Sequence, residues 1–422
     1  MSLVVFGEAL MTFKPRPTKT LQLPLAAPAC EAIQAIGGAE LNVAVAMARV
    51  GGPAASWASV LPSGALGDQV IAAATASGVA TSHVVRDQTA HSALATLHVV
   101  DDGSGPRPHY QRHHSAFCAT VGGDTFDWKS ILSDKRWLHL TGITPLLGPG
   151  PLAAWKAALA AAAETESHVS IDLNHRPALG SLDELWSVVV PHLGAGGVVS
   201  MLMLSEDTLR QLAEREGVWP GGEGPDHDQQ RGALAALRTR WGVPLLGCCF
   251  KRPAQHPAIG SAPLPAPSTS LTDNPYGVGT PLPADPPSMS KVKNTLMSGG
   301  GVKRWSVMAY EGGEASTADT PTLHTPLEPL GGGDAWVGGF LHYACTDAAE
   351  GLLPGGRSFV PIPSAADDAT LLNSLSGDVS PTWEARPAHA VSPTTTPRAA
   401  YAAAVRAACR RGDLLAALSM AS

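Results

Sequence analysis

The chain has 422 residues, 44% of them hydrophobic and 15% charged, with a formal net charge of -7 at pH 7. That length and composition suit a large apolar core spread over about one to three domains, while the acidic balance and the lack of clustered Lys and Arg exclude a nucleic-acid phosphate surface. No apolar run reaches the roughly 18 residues a spanning helix needs, so no membrane partner is expected. Met1 to Leu10 has neither the basic start nor the apolar core of a signal peptide. The cysteines Cys30, Cys118, Cys248, Cys249, Cys345 and Cys409 show no Cys-x-x-Cys or zinc-like spacing and read as reduced thiols. A cytoplasmic setting is the expectation.

In chain order, Leu3-Val-Val-Phe6 predicts a short buried strand ending at Gly7-Glu8. A polar, proline-punctuated stretch follows to about Cys30. Ile36-Gly-Gly-Ala-Glu-Leu-Asn42 then leads into Val43 to Val50, a helix buried on most faces and closed by Gly51-Gly52. Gly37, Gly38 and Asn42 can present backbone N–H groups and an amide to a ligand's hydroxyls, or be no more than a turn and a cap. A strand from Ser56 to Val60, a helix through Thr75 and a stop at Gly78 come next. Residues 79–112 read differently: the alternation in Leu94 to Val100, an Asp-Asp-Gly-Ser-Gly turn and Tyr110-Gln-Arg112 predict a β-hairpin that forms a candidate lid. With one apolar face, it is also a candidate homodimer surface.

Trp137 to Gly142 is a further strand, Pro151 to Glu166 an alanine-rich helix, and Val169 to Leu173 a buried strand ending at Asn174-His-Arg176. Polar residues just past the carboxyl end of a strand sit where open α/β sheets bind ligands, which singles out Arg176. Strands at Val198 to Leu204 and Pro244 to Cys248 alternate with helices at Glu206 to Glu214 and Gly232 to Trp241. The alternation implies an α/β fold with a doubly wound, mostly parallel sheet. Residues 251–298 hold 10 prolines and residues 348–397 hold 7, so both are expected as mobile insertions in one domain spanning 1–422. Trp305 to Tyr310 is a strand between them, and Pro397 to Cys409 a final helix stopped at Gly412-Asp413.

The most informative stretch is Glu328-Pro-Leu-Gly-Gly-Gly-Asp-Ala-Trp-Val-Gly-Gly-Phe-Leu341. Consecutive glycines let backbone N–H groups converge on an anion, and the helix that follows adds unpaired N–H groups and a positive dipole end. A carboxylate there, Asp334, either caps the helix or accepts a proton from a hydroxyl while the N–H groups hold developing charge.

The Gly-Gly-Gly-Asp-Ala-Trp-Val-Gly-Gly-Phe run resembles the C-terminal signature of the ribokinase-like (PfkB) sugar kinases, and Ile36 to Asn42 is similar to their N-terminal signature. Phe6-Gly-Glu8, Tyr110 to Ala116, Trp137 to Pro145, Ser170 to Arg176 and Arg304-Trp-Ser306 resemble, in order, blocks of the 2-keto-3-deoxygluconate kinases. The resemblance implies a ribokinase-like fold with a small β lid, from segments about 9–36 and 89–115. It implies ATP-dependent phosphorylation of a sugar hydroxyl. Asp334 matches the family's catalytic base, and Gly331, Gly332 and Gly333 match its anion hole. Gly37, Gly38, Asn42 and Asn174 match sugar contacts, while Tyr110, Arg112 and Arg176 match residues that grip an acid sugar. Guanidinium forks suit a carboxylate, whereas a neutral sugar gives them nothing to pair with. The resemblance also implies Mg2+, for which Glu206 or Asp207 stands in a degraded metal motif, and a monovalent cation beside Glu328. Gln111 and His175 replace an aspartate and a tyrosine usual in the subgroup. A kinase for a neutral sugar such as fructose or ribose, and a non-catalytic interaction protein using the proline-rich insertions, are the alternative functions.

Overall fold

In the computed structural model the apolar run Leu3–Phe6 forms β1, and its side chains alternate between two cores. Val4 and Phe6 face one, with Trp155 and Leu202; Leu3 and Val5 face the other, with Trp57 and Trp336. A strand apolar on both faces belongs inside a sheet covered on both sides. The residues described are 3–15, 32–49, 51, 55–89, 93–101, 106–135, 137–220, 227–253, 302–311, 313–316 and 332–345, with helical positions 401, 404–409, 411–413 and 415–416. The proline-rich segments 254–298 and 348–397, with Gly331 and Glu328, lie outside them.

β2 (Leu10–Pro15) and β3 (Ala32–Gly37) precede α1 (Ala39–Arg49), and β4 (Ala55–Pro62) is followed by α2 (Ala65–Ala76) and β5 (Ala80–Asp87). β6 (Ala95–Asp101) and β7 (Pro106–Gln111) form the expected hairpin, followed by the short α3 (Ala116–Thr120) and α4 (Trp128–Leu132). Then come β8 (Trp137–Thr141), α5 (Pro149–Glu164), β9 (His168–Asp172), α6 (Leu182–Val189), β10 (Val199–Ser205), α7 (Glu206–Arg215), α8 (His227–Trp241) and β11 (Leu245–Pro253). β12 (Val302–Tyr310), β13 (Gly313–Ser316) and α9 (Gly332–Ala344) complete the named elements.

Nine strands form one sheet in the order β13-β12-β11-β10-β9-β8-β1-β4-β5. It is parallel from β11 through β5, and β12 and β13 add an antiparallel edge. A separate sheet, β3-β2-β6-β7, takes its strands from both segments expected to form the lid. Two expectations change. β5 is an edge strand of the main sheet rather than part of the hairpin region, and Gly412 and Asp413 are themselves helical instead of a stop. Both are packed on α9: Asp413 accepts from Trp336 Nε1 (3.0 Å) and from Ser306 Oγ (3.1 Å), and a Cβ on Gly412 would come within 2.8 Å of Trp336.

Helix starts follow side-chain capping. Ser115, Ser181 and Ser205 accept from the N–H groups of Cys118, Glu184 and Thr208, contacts worth about 1 kcal/mol each. Each fully buried tryptophan, among them Trp57, Trp137, Trp155 and Trp336, adds large apolar burial.

Candidate active site

Parallel strands bring their carboxyl ends to one edge, and along it the strand order sets Ser205 of β10, Asp172 of β9, Thr141 of β8 and Gly7-Glu8 after β1. The chain runs from β1 to β4 and β5 on one side, then returns to β8 on the other. Ligand crevices of open α/β sheets form at such a reversal, outside the carboxyl ends.

α9 carries Asp334 to this edge. The helix is buried almost all round, from Ala335 through Ala344, as its largely apolar sequence requires. Its interior glycines allow close approach: a Cβ on Gly338 would lie 2.8 Å from Ala46 and 2.9 Å from the Val43 carbonyl of α1, and one on Gly339 would lie 2.6 Å from the Arg411 carbonyl. At the amino end Gly333 faces open space, and Asp334 is half-buried in the first turn.

Asn42 of α1 donates Nδ2 to Asp334 Oδ2 at 2.8 Å. Gly37 abuts Asn42, and the Gly38 carbonyl accepts the Asn42 N–H at 2.8 Å. Gly38 has φ +152°, and a Cβ there would come 2.4 Å from the Glu8 carbonyl, so only glycine fits between β1 and α1. Desolvation raises the Asp334 carboxyl to about 6, against the pull of Asn42 and the Arg176 guanidinium. Asp172 is pushed to about 7 by desolvation and by Asp334, while Arg176 and the Asn174 N–H (3.0 Å from Asp172 Oδ1) pull it down. Asn174 adopts φ +40°, an uncommon left-handed conformation for a non-glycine residue. Arg176 itself is exposed.

Glu40 lies deeper, accepting from Thr141 Oγ1 (2.7 Å) and Thr144 Oγ1 (3.0 Å), and desolvation raises it to about 7 with a further push from Asp334. It fits because Gly7 lacks a Cβ, which would lie 2.1 Å from the Glu40 carboxyl.

A second cluster joins the main sheet to the small one. Glu8 Oε2 accepts from Arg112 Nη1 (2.7 Å), and Oε1 accepts from Ser115 Oγ (2.5 Å) and Cys118 Sγ (3.5 Å). Arg112 lies over the Tyr110 ring at 4.8 Å, with Tyr110 exposed.

The family model described as pfkB family carbohydrate kinase matches residues 1–191. Over that amino-terminal stretch the chain is similar to PfkB carbohydrate kinases. It is 28% identical over 222 residues to the 2-dehydro-3-deoxygalactonokinase of Haloferax volcanii, an alignment covering 52% of this chain and 65% of that relative, just under two thirds of its length. Among solved structures it is similar to the 2-dehydro-3-deoxygluconokinase of Thermotoga maritima (TM-score 0.60, 22% identity, 83% of this chain and 90% of that one). It is also similar to a fructokinase of Xylella fastidiosa with bound ATP (TM-score 0.53, 20% identity, 82% of each chain). At these identities the structures speak to the fold, which is the ribokinase-like one expected.

The structure brings together Asp334, Asn42, Gly37 and Gly38 by contact, and Asp172, Asn174 and Arg176 through charge and backbone. Glu206 and Asp207 stand at the start of α7, where Glu206 accepts from Gln230 Nε2 at 3.1 Å and Asp207 is exposed. Among the described residues no group of three or more His, Cys, Asp or Glu is placed to hold a metal ion. A magnesium ion carried by phosphates and water needs only one or two carboxylates, a requirement that Glu206 and Asp207 meet. Sequence reasoning gave no role to Glu8, Glu40 or Asp172. The available signal was position: Glu8 and Asp172 stand at strand carboxyl ends, and Glu40 directly follows the Gly37-Gly38 turn.

Proposed function

We propose that the protein is an ATP-dependent kinase that transfers the γ-phosphoryl group to a hydroxyl of 2-keto-3-deoxygluconate or a similar acid sugar, with Asp334 as general base. The observation that carries this reading is the Asp334–Asn42 pair at the amino end of a buried helix, beside Arg176. Desolvation keeps Asp334 basic enough to take a hydroxyl proton near neutrality. The N–H groups of Gly332 and Gly333, together with the helix dipole, stabilise charge on the transferring group. Glu206 or Asp207 would be the carboxylate to hold a magnesium ion brought with ATP, which would supply charge neutralisation at the phosphates. The four-stranded sheet serves as the lid of a single kinase domain, with Tyr110 at its rim. Arg176 and Arg112 receive the acceptor's carboxylate.

The names of the Haloferax and Thermotoga relatives support an acid sugar. A neutral acceptor is the second reading, favoured by the Glu8 carboxylate already bound to Arg112. No helix among the described residues is long and apolar enough to cross a membrane.

Coupled ATP-consumption assays across acid and neutral sugars test the reading. Highest kcat/KM for 2-keto-3-deoxygluconate or its galactose-derived epimer is the expected result. Preference for fructose or ribose moves the assignment to the second reading, and no turnover with any sugar sinks both.

A further inference from the structure

Arg112 directly follows the β7 strand of the small sheet, yet it is anchored to the main one. Its side chain is 11% exposed, and Glu8, at the carboxyl end of β1, is 2% exposed. Three donors converge on Glu8, and all come from the segment leaving the small sheet: Arg112 Nη1, Ser115 Oγ and Cys118 Sγ. The turn is also fixed in its backbone, with the Ser115 N–H on the Arg112 carbonyl at 2.9 Å and the Ala116 N–H on the Ala93 carbonyl at 2.7 Å. The guanidinium is therefore held on one face by the Tyr110 ring and at one corner by Glu8.

A guanidinium offers two edges to a planar oxyanion, and the side-on edge consists of Nε–H and Nη2. Glu8 takes Nη1 and leaves that edge intact. Arg112 Nε is buried and has no hydrogen-bond partner among the described residues. An orphaned buried donor on a charged group is costly unless a ligand completes it. The anchor also touches the rest of the site: the Glu8 carbonyl packs against Gly38, whose carbonyl holds Asn42, which in turn holds Asp334.

We infer that Glu8 is a positioning residue for acceptor recognition, clamping Arg112 through Nη1 so that its Nε–Nη2 edge receives the carboxylate of an acid sugar. This rests on the acid-sugar reading above. Acid preference then depends on a residue that need not touch the sugar, because an unclamped arginine spends binding energy on ordering its own side chain.

The test measures kcat and KM of the full chain for 2-keto-3-deoxygluconate and for fructose, in wild type, Glu8→Ala, Glu8→Gln, Arg112→Ala and the Glu8→Ala/Arg112→Ala double variant. Glu8→Ala should lower the acid-to-neutral ratio of kcat/KM by on the order of 10- to 100-fold, mainly through KM for the acid, as expected for loss of a well-aligned charge-assisted bond. Glu8→Gln, which keeps an acceptor oxygen, should recover part of the ratio, and it carries the test if Glu8→Ala does not fold. The double variant should be no worse than Arg112→Ala, since the two residues act as one unit. Equal losses for both sugars, or additive losses in the double variant, overturn the inference and leave the acid-sugar reading standing. A wild type that prefers fructose overturns the reading and the inference together.

Discussion

Two groups of buried charge flank the same strand ends, and they are handled in opposite ways. Around α9 the Asp334 charge pushes up both Asp172 and Glu40, and desolvation raises all three toward neutrality. At the junction with the small sheet Glu8 is also raised by burial, but Arg112 and two further donors lie directly on its oxygens. The first group stays under electrostatic tension, which suits a proton acceptor whose affinity must be near the working pH. The second is tied by direct donors on both carboxylate oxygens, which suits recognition. Chemistry and selectivity should therefore separate under mutation.

The largest effect is expected from Asp334→Asn, which keeps shape and removes the base. Turnover should fall by on the order of 10²- to 10⁴-fold, the usual range for a lost general base, while calorimetry finds sugar affinity retained. Unchanged turnover would falsify the role given to Asp334. The wild-type rate should also fall as pH drops through about 6, because protonated Asp334 accepts nothing. Arg176→Ala comes next. Arg176 lowers both Asp334 and Asp172, so its removal should move the acid limb of kcat to higher pH. It should also cost roughly 10- to 100-fold in kcat/KM for an acid sugar. An unmoved limb would separate Arg176 from the tense group.

What the sequence made legible follows from the range of each interaction. Leu3–Phe6 and Val199–Ser205 announce themselves as apolar runs, and the glycines before Asp334 mark a turn into a helix. β5 was missed because Ala80–Asp87 lies at the sheet edge with a mostly half-exposed pattern and no apolar run. The hairpin was readable from alternation, but the pairing of β6 with β2 in parallel was not, since nothing local specifies it. The Glu8–Arg112 bridge joins residues 104 positions apart, and Asn42 meets Asp334 across 292. The glycine turn brought Asp334 into view, and family resemblance added Arg112. Only the folded arrangement brought out Glu8, Glu40 and Asp172.

Gly338→Ala sharpens the comparison through packing. The new methyl would press on Ala46 and Val43 of α1, where overpacking costs about 1–3 kcal/mol. α9 must then shift against α1, and the Asn42–Asp334 bond spans that interface. A melting temperature lower by several degrees and a reduced kcat are expected, with the acid-to-neutral ratio intact because Glu8 and Arg112 lie elsewhere. A changed ratio with unchanged kcat would contradict the separation.

The smallest effect, and the most diagnostic of tension, belongs to Glu40→Gln. Both threonine hydroxyls donate to Glu40 Oε1, an acceptor that glutamine retains, so the substitution tests charge more than contacts. The folded-state value of about 7 lies above the ordinary 4.5, so the fold favours the protonated acid. That contribution to stability is complete below the ordinary value and is lost as pH rises through about 7. Glutamine cannot ionise. The variant should match wild type near pH 5 and melt a few degrees higher near pH 8, with a flatter dependence between, because a few kcal/mol at most separates the two states and each shifts melting by about 2–4 °C. Should wild type instead be the more stable at pH 8, the partners of Glu40 would outweigh its desolvation, and it would not share the tension of Asp334.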